Sequence, residues 1–139
     1  MCLYIRCGEH TIHKAKNDIT CYKLLLEAPN NTLQSPYRGM LYRLNRVYRL
    51  WNFTGNSSDG SIYKTFRFRL PQEIDEVSQG FHSYATLESA LNWRGASETV
   101  LKCRIPKGTR YILGKGNEIV SLKLELLEIV RGPKRNQIR

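Results

Sequence analysis

The sequence predicts an α+β fold, mostly antiparallel strands with one or two short helices, in a single domain over residues 1–139. Three observations carry that expectation. SIYKTFRFRL (61–70) alternates, with Ile62, Phe66, Phe68 and Leu70 on one face and Tyr63, Thr65, Arg67 and Arg69 on the other, as a half-buried strand does. LESALNW (87–93) has its apolar residues at helical spacing behind Thr86, a good N-cap. Clusters of Gly, Pro, Asn and Ser separate the runs as turns do.

The elements follow in order. HKAKND (13–18) is polar and reads as a loop. ITCYKLLL (19–26) reads as a buried strand closed by the turn cluster Ala28–Asn31. Lys23 is its anomaly, an ammonium among apolar neighbours that needs a reason on an outward face or an edge. Residues 35–51 show two periodicities. Met40/Leu41, Leu44, Val47/Tyr48 and Trp51 recur at helical spacing, while Tyr, Val and Trp suit strands, and strand-and-turn is the favoured reading. NFTGNSSDGS (52–61) reads as a loop and PQEIDEV (71–77) as one helical turn. GFHSY (80–84) is extended and hands over to the helix, whose inward stripe is Leu87, Ala90, Leu91 and Trp93/Arg94 and whose end is Gly95. Glu88 sits in its first turn, where the helix dipole favours an acid. Strands follow at ETVLKCRI (98–105), TRYILG (109–114) and EIVSLKLELLEIV (118–130). The apolar phase of the last breaks at Leu126–Leu127, which predicts a bulge or a strand end. A basic tail runs from about residue 131.

Composition narrows the function classes. The apolar share of 41% supports a packed core. No apolar run reaches the ~18 residues a membrane-spanning helix needs, and MCLYIRCGEH lacks a secretory apolar segment, so the expected location is the cytoplasm. There, Cys2, Cys7, Cys21 and Cys103 are expected as reduced thiols. A formal net charge of +10 favours anionic partners: a nucleotide, nucleic acid or an acidic protein.

The order of GFHSY, an alanine-bearing helix, and VLKCRIPKGTRYILGKGNEIVSLKLELLEIV resembles the C-terminal half of the ADP-ribosyltransferase fold, over about residues 80 to 130. The whole chain also resembles a group of small phage and bacterial proteins with the order CYK, SPY, GFHSY, IPKG. The first resemblance implies NAD as substrate. Glu118 would be catalytic, its carboxylate stabilising the positive ribose carbon that appears as nicotinamide leaves. Ser83 would support the ribose or amide, and Tyr84 would stack on nicotinamide. His82 beside them is either a ligand contact or a group hydrogen-bonded to neighbouring backbone. The family's early-strand Arg or His falls on CYK, where this chain has Tyr22–Lys23; lysine binds phosphate as a point charge without arginine's fork. Two positions before Glu118 stands Gly116, where the arginine-modifying branch carries a second glutamate, so the resemblance does not extend to protein-arginine modification.

Two further constellations compete. Cys2, Cys7, His10 and His13 are zinc-ligand types, but their spacing is too compressed for the usual knuckle, and no metal is assigned. Tyr37–Arg38, Tyr42–Arg43 and Tyr48–Arg49 repeat an aromatic–basic pair, with Arg67 and Arg69 nearby, a pattern that suits single-stranded nucleic acid. The functional expectation is a small NAD-binding or ADP-ribosyl-transferring protein, active or with catalysis lost, phage-encoded and working in a bacterial or phage-infected cytoplasm. If an enzyme, it is an ADP-ribosyltransferase or NAD glycohydrolase. The alternative is a non-enzymatic basic protein that binds nucleic acid or an acidic protein, such as an inhibitor.

Overall fold

Alternating apolar residues and frequent turns leave this chain few ways to bury its core other than as paired strands. The computed structural model describes residues 3–4, 11–35, 40–57, 62–64 and 74–132. In chain order these form β1 (Leu3–Tyr4), β2 (His13–Lys14), β3 (Ile19–Ala28), β4 (Thr32–Gln34), β5 (Leu41–Tyr42), β6 (Val47–Arg49), β7 (Thr54–Ser57), β8 (Ile62–Lys64), β9 (Ile74–Gln79) and β10 (Phe81–Tyr84). Then come α1 (Leu87–Trp93), β11 (Glu98–Ile105), β12 (Arg110–Leu113), a 3-10 turn at Lys115–Asn117, β13 (Glu118–Ser121) and β14 (Lys123–Arg131).

Antiparallel strands dominate, and α1 is the one α-helix among the described residues, so the fold is largely all-β. The expected α+β class is thereby corrected. Two segments account for part of the difference. Within the expected loop 52–61, Thr54–Ser57 is a strand, and within the expected helical turn 71–77, Ile74–Val77 belongs to β9. Both are strands because they pair: β7 lies between β8 and β9 and takes ladder bonds on both edges. Such pairing overrides weak local propensity. The expected loop at 13–18 likewise contains β2, which pairs with β12. Residues 65–73, including Arg67 and Arg69, lie outside the described residues, as do the tail from 133, Arg38, and the Cys2, Cys7 and His10 of the N-terminal constellation.

The helix forms for the reason its sequence suggests. Thr86 Oγ1 accepts the Ser89 backbone N–H at 3.1 Å, Glu88 occupies the first turn, and Ala90 is fully buried. It spans Leu87–Trp93 as the sequence suggests, with Arg94 as its C-cap and Gly95 just beyond. Trp93, expected on its inward stripe, is 59% exposed.

The large sheet runs β2-β12-β13-β10-β3-β11-β14-β6; a smaller sheet runs β1-β9-β7-β8. The expected strand 118–130 is two strands, parted at Leu122. Within the second, Lys102 pairs with Glu128 and Cys103 with Leu126, which leaves Leu127 as the extra residue of a bulge where the apolar phase breaks.

One face of the large sheet carries Cys21, Leu25, Phe81, Leu101, Cys103, Ile105, Ile119, Leu124 and Leu126, covered by Leu33 and Tyr42 with Leu44, Tyr48 and Leu50 against them. The other face is covered in two places. At β12–β13, Ile112 and Val120 pack with Phe53 and with Val77 of the smaller sheet. At β3–β11, Val100, Leu24 and Tyr84 pack with Ala90, Leu87 and Leu91 of α1. No helix among the described residues is long and apolar enough to cross a membrane.

Gly80 joins β9 to β10 with φ +150, and a Cβ there would collide with Val120 Cγ1 and touch Phe53. Both the backbone angle and the space demand glycine. Gly80→Ala is expected to cost about 2–4 kcal/mol, read from the urea midpoint against the parent.

Candidate functional site: a cleft where the sheet divides

The site begins with the pairing of β3. On one edge, Ile19–Leu26 matches β11 residue for residue, from Ile105 to Glu98. On the other edge, β10 takes only Tyr22, opposite Tyr84, and β4 takes Leu26–Ala28. Between those partners, Lys23, Leu24 and Leu25 have no strand against them among the described residues. β10 leaves β3 at this point to continue with β13, whose Glu118–Ser121 pairs with Tyr84–Phe81.

The divergence opens a cavity of about 270 Å³, lined from the β3 side by Lys23 and Leu24, from β10 by Phe81–Tyr84, and also by Tyr42, Trp93, Glu98 and Glu118. Of the residues singled out by sequence, Lys23, His82, Ser83, Tyr84 and Glu118 therefore converge on one cavity. Tyr22 does not line it; its ring packs on the α1 side with Tyr84 and Leu24.

Lys23 reverses the sequence expectation. It points inward with Cys21 and Leu25, 7% exposed, because alternation from the apolar Cys21 and Leu25 leaves it no other face. Its Nζ donates to the His82 carbonyl at 2.7 Å, bridging strands that no longer share a ladder. The ammonium also lies 5.6 Å from the Tyr42 ring centroid. Among the described residues the one ion pair is Arg104–Glu125, so Lys23 has no carboxylate counter-ion. Burial lowers its pKa to about 8.

Alternation along β10 separates the His-Ser-Tyr cluster. Ser83 faces the same core as Phe81 and is 1% exposed, its hydroxyl against the Cys21 thiol. His82 and Tyr84 face the opposite side, where Tyr84 stands across from Glu118. Tyr84 is only 8% exposed, held among Ala90 and Val100. Cys21 and Cys103 are free thiols directly opposite each other beneath Lys23. Burial raises the Cys21 pKa to about 11 and pushes Cys103 higher still, so both are protonated near neutrality.

Glu118 is placed by a clasp between its turn and the helix. Gly116 and Asn117 adopt left-handed angles, the Gly114 N–H donates to the Glu118 carbonyl at 2.9 Å, and the Ala85 N–H donates to the Asn117 carbonyl at 2.8 Å. Asn117 Nδ2 then donates to Ser89 Oγ at 3.1 Å. Partial burial raises the Glu118 pKa above the ordinary carboxylate value.

Among the cavity members that sequence reasoning missed are Trp93 and Glu98. Trp93 presents an exposed indole to the cavity, beside the Gly116 turn. Glu98 supplies a second carboxylate to the lining, its Oε1 accepting the Gly95 N–H at 2.6 Å. The aromatic–basic pairs, in turn, divide. Tyr42 is buried and meets Tyr48 edge-on at 4.9 Å, so these rings are core and not base platforms, whereas Arg43 and Arg49 are exposed. Neither a family model, nor a curated protein, nor a solved structure matches the chain.

The Lys23 assignment has a pH signature. The fold lowers this pKa from 10.5 to about 8, so the unfolded chain holds the proton more tightly and stability contributed by the site rises with pH through that window. Cys21, with its raised pKa, works oppositely above about pH 9, so the signal is the difference between proteins. From pH 7 to 10, parent minus Lys23→Met stability should shift by about 2–3 kcal/mol in the parent's favour, measured by urea unfolding. A flat difference would mean Lys23 is not a buried ammonium.

Proposed function

We propose that the cleft binds NAD and cleaves it, passing ADP-ribose to an acceptor or to water. The observation that carries this reading is a buried ammonium without a carboxylate partner, set in a cavity that also holds Glu118. An unpaired buried charge is costly, and a pyrophosphate is the anion Lys23 lacks. Trp93 offers its exposed face to a planar ring of the same ligand.

The chemistry then needs little from the protein beyond position and charge. The bond from ribose C1′ to the nicotinamide nitrogen breaks, and its electron pair leaves with nicotinamide. Positive charge builds on the ribose, where an ionised Glu118 in a partly dry cavity stabilises it. Water or an acceptor nucleophile forms the new bond to C1′ and gives up its proton to solvent. Gly116 in place of a second glutamate argues against an arginine acceptor. The compartment consistent with NAD and with the free thiols Cys21 and Cys103 is a bacterial or phage-infected cytoplasm.

Proton NMR of NAD with the purified protein tests this directly. The expected result is broadening of the NAD lines and release of nicotinamide, with release falling by about 10²–10³ in Glu118→Gln while broadening persists. Because the carboxylate must be ionised and burial raises its pKa, the rate should fall on the acid side at a pH above 4.5. Broadening without release would leave a cleft that binds and no longer cleaves. Absence of both broadening and release would end the NAD reading.

A further inference from the structure

The edge of the large sheet opposite β2 carries a second set of features that the cleft does not use. Between Glu27 and Asp59 the chain has four arginines (38, 43, 46 and 49), no lysine and no acid. Arg43, Arg46 and Arg49 are exposed around β6. β6 pairs with β14 so that Arg49 stands directly opposite Lys123. Like charges facing across a ladder repel. The nearby carboxylate on that face, Glu125 opposite Val47, is already committed: Arg104 Nε and an Arg104 terminal nitrogen donate to it at 2.9 and 2.7 Å. Among the described residues the Arg49–Lys123 pair thus has no compensating carboxylate.

Trp51 completes the surface. Its indole is 78% exposed, the most exposed of the large apolar side chains in the described residues. The Arg49 guanidinium lies 5.1 Å from the ring centroid and backs one side of it. The segment that presents these groups is held in place. Asn45 N–H donates to the Leu126 carbonyl at 2.8 Å, Leu126 N–H to the Arg46 carbonyl at 3.1 Å, and Leu50 N–H to the Leu122 carbonyl at 2.8 Å. The Arg43 N–H donates to the Tyr48 hydroxyl at 2.7 Å. A fixed ring backed by a cation and flanked by guanidinium groups matches an unpaired base and its phosphates.

We propose that this edge binds single-stranded nucleic acid, with Trp51 stacking on a base and Arg43, Arg46, Arg49 and Lys123 contacting phosphates. The proposal goes beyond the reading of the cleft and stands without it. An acidic polypeptide would answer the charges but carries a ring only where it has an aromatic residue, whereas each nucleotide brings a ring beside its phosphate, and a duplex would keep its bases stacked away from the indole.

The test uses the full chain and a labelled oligodeoxythymidylate of about 16 nucleotides, followed by fluorescence anisotropy between about 50 and 200 mM salt. Trp51→Ala should weaken binding about 5- to 100-fold, and Arg46→Glu should weaken it and flatten the salt dependence by a slope of about 1 or more. Both positions are exposed, so the fold survives either change. In a Trp93→Phe background, where Trp51 is the only tryptophan of the two, the oligonucleotide should quench its emission. A duplex of the same length should compete poorly. Absence of binding at low salt overturns the proposal, as does affinity unchanged by Trp51→Ala. Polyglutamate binding as tightly as the oligonucleotide would also overturn it and assign the edge to a protein.

Discussion

The unequal pairing of β3 governs the molecule. A strand in the middle of a sheet ordinarily has both edges satisfied, yet here one edge is paired from Ile19 to Leu26 and the other, among the described residues, is met only at Tyr22 and again at Leu26–Ala28. The carbonyl of His82, left beyond the last shared rung, still needs a donor, because a buried main-chain acceptor without one is costly. Lys23 supplies it at 2.7 Å. A side chain thus closes a gap that backbone geometry opens, and what it leaves behind is a cavity with a cation in its wall.

Everything around the cavity acts to keep that gap open and defined. The smaller sheet and α1 cover separate parts of one face, and neither crosses the divide. Gly80 allows β10 to come within contact of Val120 and Phe53 as it turns away from β3. On the far side, the hydrogen bonds from Asn117 to Ser89 and from Ala85 to Asn117 hold the Glu118 turn to the start of the helix. The positive charge of the chain is then presented in two different ways. Lys23 is a single buried cation for which one anionic group suffices, while the β6 edge is a row of solvated cations whose attraction to a polyanion fades with salt.

Sequence reasoning read well where one local pattern decides the outcome. Thr86 and the LESALNW stripe suffice for a helix, and the phase break at Leu126–Leu127 marks the bulge because a strand cannot keep two phases without an extra residue. It failed where a distant partner decides. TGNS at 54–57 has no strand preference, and becomes one because β8 and β9 flank it. Lys23 looked like an outward residue by its charge; its neighbours Cys21 and Leu25 set its face instead. Trp93 looked inward by its apolarity, but α1 is too short and too far around its axis at that point to bury it, so the indole faces the cavity. The convergence of Lys23, His82, Ser83, Tyr84 and Glu118 on one cavity was implied by motif order, whereas the split that creates the cavity has no signature in any single segment.

The long reach of β3 has a consequence for how the chain is made. About 70 residues separate Ala28 from Glu98, the first residue of the strand that pairs with Ile19–Leu26. At ribosomal rates of roughly 5–20 residues per second, ITCYKLLL waits several seconds before its main partner exists. An apolar segment of that kind, extended and unpaired, readily stacks on copies of itself. In the nascent chain Lys23 is hydrated and fully charged, and a charge in the middle of such a segment opposes that stacking. The residue whose burial strains the finished protein is the one that guards the strand until the protein can be finished.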